Sequence, residues 1–387
     1  MTAHAVGRES PIAPTLDRFG GAHCETAALH KVLAHHGTEV SEPLLFGVAG
    51  GISFMHMPKG PEGRAFVGGR NGPFPDFTRR MAAGVGLSLE VVLPADPRTA
   101  WEQVRCQLAL GSPVIVYGDL FHLPYYQATR HFGAHAFVVL DHDPDAGTVT
   151  VSDRCVAPRT LSLDDLAAAR GSEHPPFPPR HAWLRADWAA AREPSADDIR
   201  RGVRASCTAM RNPVVPTFGL RGLAAYGAGL DHLVRRSPAE DVLTALCGAY
   251  VDFELAGTGG CGFRGMFADF LTEAAARTAD PALERAVPLA RGAVDAWHDF
   301  LALLLPSWTP AFTELRDTLN ERDQRLLRGG AEDQEAAAAL GARLPALRTA
   351  AAEGLDPLRE QLSGQLRAAA QRIVKAEETL FDVLKEV

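Results

Sequence analysis

The sequence predicts an α+β half followed by an all-α half, on three observations. Segments of helical and strand period alternate as far as about residue 195. From about Val214 onward the apolar pattern is helical throughout, with no fixed-length repeat, so a bundle is expected and not a solenoid. The length, 387 residues, suits two domains better than one. The division expected is 1–195 for the α+β domain and 196–387 for the helical one.

Taken in order, Cys24 to His36 has helical spacing, with Ala27, Ala28 and Val32 on one side and Gly37 as the stop. Asp76 to Ala83 is a second helix, followed by a strand over Leu87–Leu93 that Pro94 ends. Arg98 to Leu110 is a third helix, closed by Gly111 at its C-terminal cap. Pro113 to Tyr117 is a short continuous apolar run, typical of a buried strand. Asp119 to Gly133 has no clear period. Ala134–Asp141 and Thr148–Asp153 then flank Asp143-Pro-Asp-Ala-Gly147, whose residues are those of a hairpin loop. His174 to Pro179 is a proline-rich surface loop, and Trp183 and Trp188 complete the first domain. Helices are expected over Leu220–Val234, Ala239–Val251, Phe263–Ala276, Pro281–Leu305 and Glu332–Glu353. A leucine stripe from Leu355 to Leu384 marks the last one, and it reads as core.

Composition removes several function classes. With 39 basic against 47 acidic residues the formal charge is −8, and no basic stripe offers a nucleic-acid interface. No run of about 18 apolar residues suggests a membrane span. Residues 1–21 lack an apolar signal core, and the six cysteines are scattered without a C-x-x-C pair. Reduced thiols in a cytoplasmic protein are therefore expected.

Chemistry concentrates at three residues. Cys24 stands at a helix start just after Gly20-Gly21, where the partial positive charge of the N-terminus favours a thiolate. A catalytic thiol needs a base, and the base needs an orienting group. If residues 143–147 form the hairpin loop, position 142 faces 148 and paired numbers sum to about 290. Asp153 then faces Phe137 and shares a face with His135. Singly, a cysteine at a helix start, a histidine in a strand and an aspartate at a strand end are usually structural. Together, in this geometry, they point to Cys24 as nucleophile, His135 as base and Asp153 as orienter.

That order of residues resembles the papain-like cysteine peptidase superfamily. A nearer likeness is to the butirosin-biosynthesis acyltransferase H family. It rests on His23-Cys24-Glu25, on the run Ser41 to Phe54, on Asp119 to Tyr125, on His131 to His135 and on Val149 to Asp153. It continues through Gly257 to Arg264 and Phe267 to Leu271, and so spans roughly residues 20 to 385. The resemblance implies a papain-like catalytic domain, with a helical domain that shapes or covers its cleft. It also implies acyl transfer: an acyl group passes from a carrier-protein phosphopantetheine thioester to Cys24, then to an amine or hydroxyl of a small-molecule acceptor in natural-product biosynthesis. A ring-forming, intramolecular version uses the same residues. A thioesterase or cysteine hydrolase, with water as acceptor, is the alternative.

One departure from the papain pattern is the lack of a glutamine between Thr15 and His23. Oxyanion donors are therefore expected from the Cys24 N–H and from His23 or another side chain. Glu42, Asp119 and Tyr125 are candidate contacts to a polar acceptor, and Arg264 to a phosphate or carboxylate. The spacing of His131 and His135 suits a metal only on a helix, and Gly133 with the strand pattern after it argues against one. No metal and no cofactor of the chain's own is expected. The partners expected are the acyl thioester and the acceptor, with a homo-oligomer left open. The glycines of 47–51 and 257–262 read as tight turns, or as a wall of the acyl channel.

Overall fold

The computed structural model describes residues 19–57 and 65–387. The reading of the first eighteen residues as lacking a signal core lies outside the described residues. In chain order the elements are α1 (Cys24–His35), α2 (Glu42–Val48), β1 (Ile52–Met57), β2 (Phe66–Arg70), α3 (Asp76–Gly84), β3 (Glu90–Val92), α4 (Pro97–Ala109) and β4 (Val114–Gly118). After an irregular stretch come β5 (His135–Asp143), β6 (Thr148–Ser152), β7 (Arg159–Ser162), α5 (Leu163–Gly171) and β8 (Trp183–Arg185). The remainder is helical: α6 (Ala196–Arg211), α7 (Gly219–Arg236), α8 (Ala239–Tyr250), α9 (Arg264–Thr278), α10 (Pro281–Leu304), α11 (Pro310–Arg328), α12 (Ala331–Glu353) and α13 (Arg359–Leu384).

The chain is thus a mixed α/β protein with a helical C-terminal region. Many ends are set by local chemistry. Ser41, Asp96, Ser162 and Ser195 each accept a backbone N–H in the first turn of the helix they precede. Gly111 takes φ +77 just beyond α4. His35 and His36 form the last residue and the C-cap of α1, just before the expected stop at Gly37.

Two compact units emerge, and they do not follow the expected division at residue 195. The first contains the described residues through Glu39 together with Leu89–Ala191. The second contains Val40–Ser88 together with Arg192–Val387. Residues 40–88, expected in the first domain, pack within the second. There α2 lies against α6 and α9, and β1, paired antiparallel with β2, lies against α6 and α7. The approach to α9 is close enough that a Cβ on Gly47 would sit 2.0 Å from the Phe270 ring. Glycine at 47 is therefore a packing requirement inside a helix.

The first unit is built on a six-stranded antiparallel sheet in the order β3-β8-β4-β5-β6-β7. Strand β4 is buried along its whole length, as its unbroken apolar run requires. Helix α1 lies against β4 and β5, and α5 packs on β4. In the second unit, α10 pairs with α9 and α13, α7 with α13, and α11 with α12. Its core is aromatic, with Phe253 edge-on to Trp297 at 4.9 Å between centroids. Among the described residues no helix is long and apolar enough to cross a membrane.

Candidate active site

The β5–β6 hairpin sets the geometry. Near its loop the pairs are Asp143–Thr148, His142–Val149 and Asp141–Thr150; further along they are Val139–Val151 and Val138–Ser152. Residue numbers sum to one more than expected beside the loop and return to the expected sum beyond Leu140, the extra residue of a bulge. Continued past the end of β6, that register sets Asp153 opposite Phe137, on the face that also carries His135. Without the bulge, the pairing set by the loop would put Asp153 opposite Val138 and turn it to the other face.

His135 Nε2 and Asp153 Oδ2 are 2.7 Å apart, and both residues are buried, at 4% and 2% exposure. Both Asp153 oxygens are filled. Oδ2 also accepts the Tyr125 hydroxyl at 2.8 Å, while Oδ1 accepts the Tyr126 hydroxyl at 3.0 Å and the Arg154 N–H at 2.7 Å. Burial alone would raise the Asp153 pKa, yet the His135 charge and these hydrogen bonds bring it down to about 2. Burial would likewise neutralise His135, but the Asp153 carboxylate outweighs it and raises the imidazole to about 10.

Cys24 is the first residue of α1 and is half-buried. Desolvation pushes its thiol up. The opposing charge of His23, with hydrogen bonds from His135 and His23, brings it down to about 5. With Nε2 held by Asp153, Nδ1 is the His135 nitrogen left for the thiol proton. The N–H of Cys24, in the first turn of α1, lacks an intrahelical acceptor by its position.

The backbone ties these parts together. Gly20, at φ +89, donates its N–H to Cys155 O at 2.7 Å, which fastens the segment before α1 to the turn after β6. Lys31, buried on α1, donates to Asp153 O at 2.5 Å. His23 caps α1, its Nδ1 accepting from Thr26 N at 3.5 Å, and its Nε2 lies 3.8 Å from Glu25 Oε2. Glu25 also accepts the Tyr117 hydroxyl at 3.1 Å.

The other candidate contacts are placed differently from expectation. Tyr125 spends its hydroxyl on Asp153, and burial with that neighbouring charge keeps its pKa well above the ordinary range. Asp119 is fully buried and accepts from four groups: His131 Nδ1 and Ser172 Oγ at 2.7 Å, Phe132 N at 2.9 Å and Phe121 N at 3.1 Å. Its carboxylate is committed inside the fold. His131 and His135, four apart in sequence, thus serve two different carboxylates. Glu42 opens α2 and Arg264 opens α9, both in the second unit. Arg264 is buried against Glu377, Nε to Oε1 at 2.7 Å, with Nη1 on Gly262 O at 2.8 Å. Its charge is met internally.

Sequence reasoning missed Tyr126, Lys31 and the Glu25–Tyr117 pair. Tyr126 lies in a stretch without periodicity. Lys31 carried a signal that was available, a cation among apolar residues on the helix that begins with Cys24.

Two family models match the chain. Residues 23–154 match the family described as butirosin biosynthesis protein H, N-terminal, a span that opens beside Cys24 and closes beside Asp153. Residues 164–325 match a second family, described as a domain of unknown function (DUF4872). No curated protein matches the chain significantly.

Proposed function

The chain belongs to the butirosin biosynthesis protein H family, and from that premise we propose that it is a cysteine-dependent acyltransferase of antibiotic-type secondary metabolism. The observation that carries the reading is the grouping of a half-buried Cys24 with the buried His135 and Asp153. In it a thiol lowered to about 5 meets an imidazole raised to about 10. A thiolate facing an imidazolium at neutral pH is a nucleophile already formed. The N-terminal catalytic unit is read as papain-like on the same order of nucleophile, base and orienter, with the sequence likeness beside it.

The reaction proposed has two halves. The Cys24 thiolate attacks the carbonyl of a phosphopantetheine thioester presented by a carrier protein, and the tetrahedral oxyanion forms beside the Cys24 N–H. Collapse expels the pantetheine thiolate, which takes the His135 proton. An amine or hydroxyl then attacks acyl-Cys24, His135 accepts the proton it sheds, and Cys24 leaves as the thiolate. Thioester-to-thioester exchange is close to isoenergetic, so the first half needs less oxyanion stabilisation than amide cleavage. That suits a site without a glutamine before the cysteine.

Intact-protein mass spectrometry after incubation with an acyl thioester or acyl-loaded carrier protein tests this. The wild-type chain is expected to gain one acyl mass and the Cys24→Ala chain none. Faster decay of the adduct with added amine than in water supports transfer, and equal decay would make the protein a thioesterase. Full turnover by Cys24→Ala would overturn the reading.

A further inference from the structure

The stretch without periodicity, Asp119 to Gly133, holds a second cluster that the acyl-transfer chemistry does not use. Asp119 follows the buried strand β4 and opens a 3-10 turn over Leu120–His122. Its Oδ1 bridges Phe121 N and Phe132 N, and Leu120 N donates to Phe132 O at 3.1 Å, so residues 119 and 132 close the base of a loop. Inside that loop stand Tyr125 and Tyr126, whose hydroxyls hold Asp153.

At the closed base, one ligand-capable atom from each of Asp119, His122 and His131 lies within 4.8 Å of the others. The His131 ring is sandwiched by Phe121 at 4.2 Å and by His174 at 3.8 Å, the latter nearly parallel. Those two neighbours hold its plane. Because Asp119 is ionised and can only accept, Nδ1 carries the His131 ring proton where it meets Oδ2 at 2.7 Å. The ring of His122 stands across the His131 ring at 5.8 Å. Two imidazoles and one carboxylate, one ligand buried and two half-buried, form a donor set for a borderline divalent ion.

We propose that Asp119, His122 and His131 bind a divalent transition-metal ion of the zinc class, which staples the base of the loop carrying Tyr125 and Tyr126. Tetrahedral zinc sets its ligand atoms about 3.3 Å apart. The Asp119–His131 contact opens by roughly half an ångström as the ion replaces the bridging proton, and the half-buried His122 closes in. The displaced proton moves to Nε2 of His131 or to solvent, and water takes the fourth position. Ser172 and the two backbone N–H groups keep the carboxylate in place throughout. The sequence reading set metal aside because His131 and His135 cannot share an ion on a strand. The partner of His131 is instead His122, which the 3-10 turn brings back beside Asp119.

Zn2+ titration of the full-length Cys24→Ala chain, which removes the one activated thiolate, tests the site by calorimetry. The expected result is one Zn2+ per chain, with affinity at least tenfold weaker in the added His122→Ala or His131→Ala variant. Co2+ in place of Zn2+ should give d–d bands without a thiolate charge-transfer band. His122 contributes no buried side chain to the core, so that variant keeps the fold, which circular dichroism checks. Equal affinity in parent and histidine variants, a thiolate band, or no stoichiometric binding to the parent would each overturn the proposal.

Discussion

His135 and Asp153 face each other across 2.7 Å because one residue, Leu140, is bulged out of the ladder between them and the hairpin loop. The contact fixes the imidazole ring, and with it the nitrogen offered to Cys24. The charge state of the whole group depends on it, and the first predictions follow from that dependence.

Alkylation of Cys24 by iodoacetamide should report the ion pair. The thiol falls from its ordinary 9.0 to about 5 and His135 rises from 6.5 to about 10. The rate should rise through about pH 5 as the thiolate forms, hold a plateau, and change again near pH 10 as the imidazolium is lost. Mass spectrometry at pH points from 4 to 11, following the Cys24 peptide, measures it. A single rise near the ordinary thiol value would show that Cys24 is not paired.

Asp153→Asn keeps the shape and an acceptor but removes the charge that raises His135. The upper limb should move down from about 10 toward the ordinary 6.5, and acylation should slow by about two to four orders of magnitude. Stability should change with a definite sign. The depressed Asp153 pKa contributes stability that is complete above about 3.8 and lost as pH falls through about 2. The raised His135 pKa contributes stability that is complete below 6.5 and lost as pH rises through about 10. Urea melts of both proteins at pH 5, 7 and 11 should therefore differ most near pH 5, slightly less at pH 7 and least at pH 11. A constant difference would mean that the charge plays no part.

Tyr125→Phe removes one hydroxyl donor from the buried carboxylate and leaves His135 beside the same oxygen. The loss should be about 1.5–3 kcal/mol in a denaturant melt, the range for a hydrogen bond to a charged group. Most of it should vanish when Tyr125→Phe is made in the Asp153→Asn background. If the two changes simply add, the hydroxyl is not bonded to the carboxylate.

Helix α1, most of the long C-terminal helices and the β5–β6 hairpin were legible because they rest on local rules. Cys24 follows two glycines, the apolar runs keep their period, and Asp143 to Gly147 has loop composition. The register was legible at the site end, though it is reached by another route, since a bulge at Leu140 leaves no mark in the alternation of apolar residues. The seven-residue α2 was hidden because it ends in Gly47-Val-Ala-Gly50-Gly51, which reads as a turn when the Phe270 ring that demands Gly47 is not in view. The jobs of Tyr125, Asp119 and Arg264 were hidden for a shared reason. Each is satisfied by a partner far along the chain, at Asp153, Ser172 and Glu377, and no local pattern encodes such pairs.

Arg264 shows what that pairing is worth to the helical unit. Its guanidinium meets Glu377 side-on, Nε to Oε1 at 2.7 Å and Nη2 to Oε2 at 3.2 Å. The same cation lies 4.7 Å above the Trp297 ring, whose Nε1 donates to Glu377 at 2.6 Å. A cavity of about 10 Å3, space for one water, adjoins the pair. Glu377→Ala would leave the guanidinium buried without its counter-charge and the indole N–H without its acceptor. The expected cost is about 3–5 kcal/mol, read as a lower denaturation midpoint. Replacing both partners, Arg264→Met with Glu377→Leu, should recover much of that loss, because an uncompensated charge costs more than an absent pair. Were Arg264 instead held in reserve for an anionic ligand, Glu377→Ala would cost under about 1 kcal/mol, as for an exposed pair.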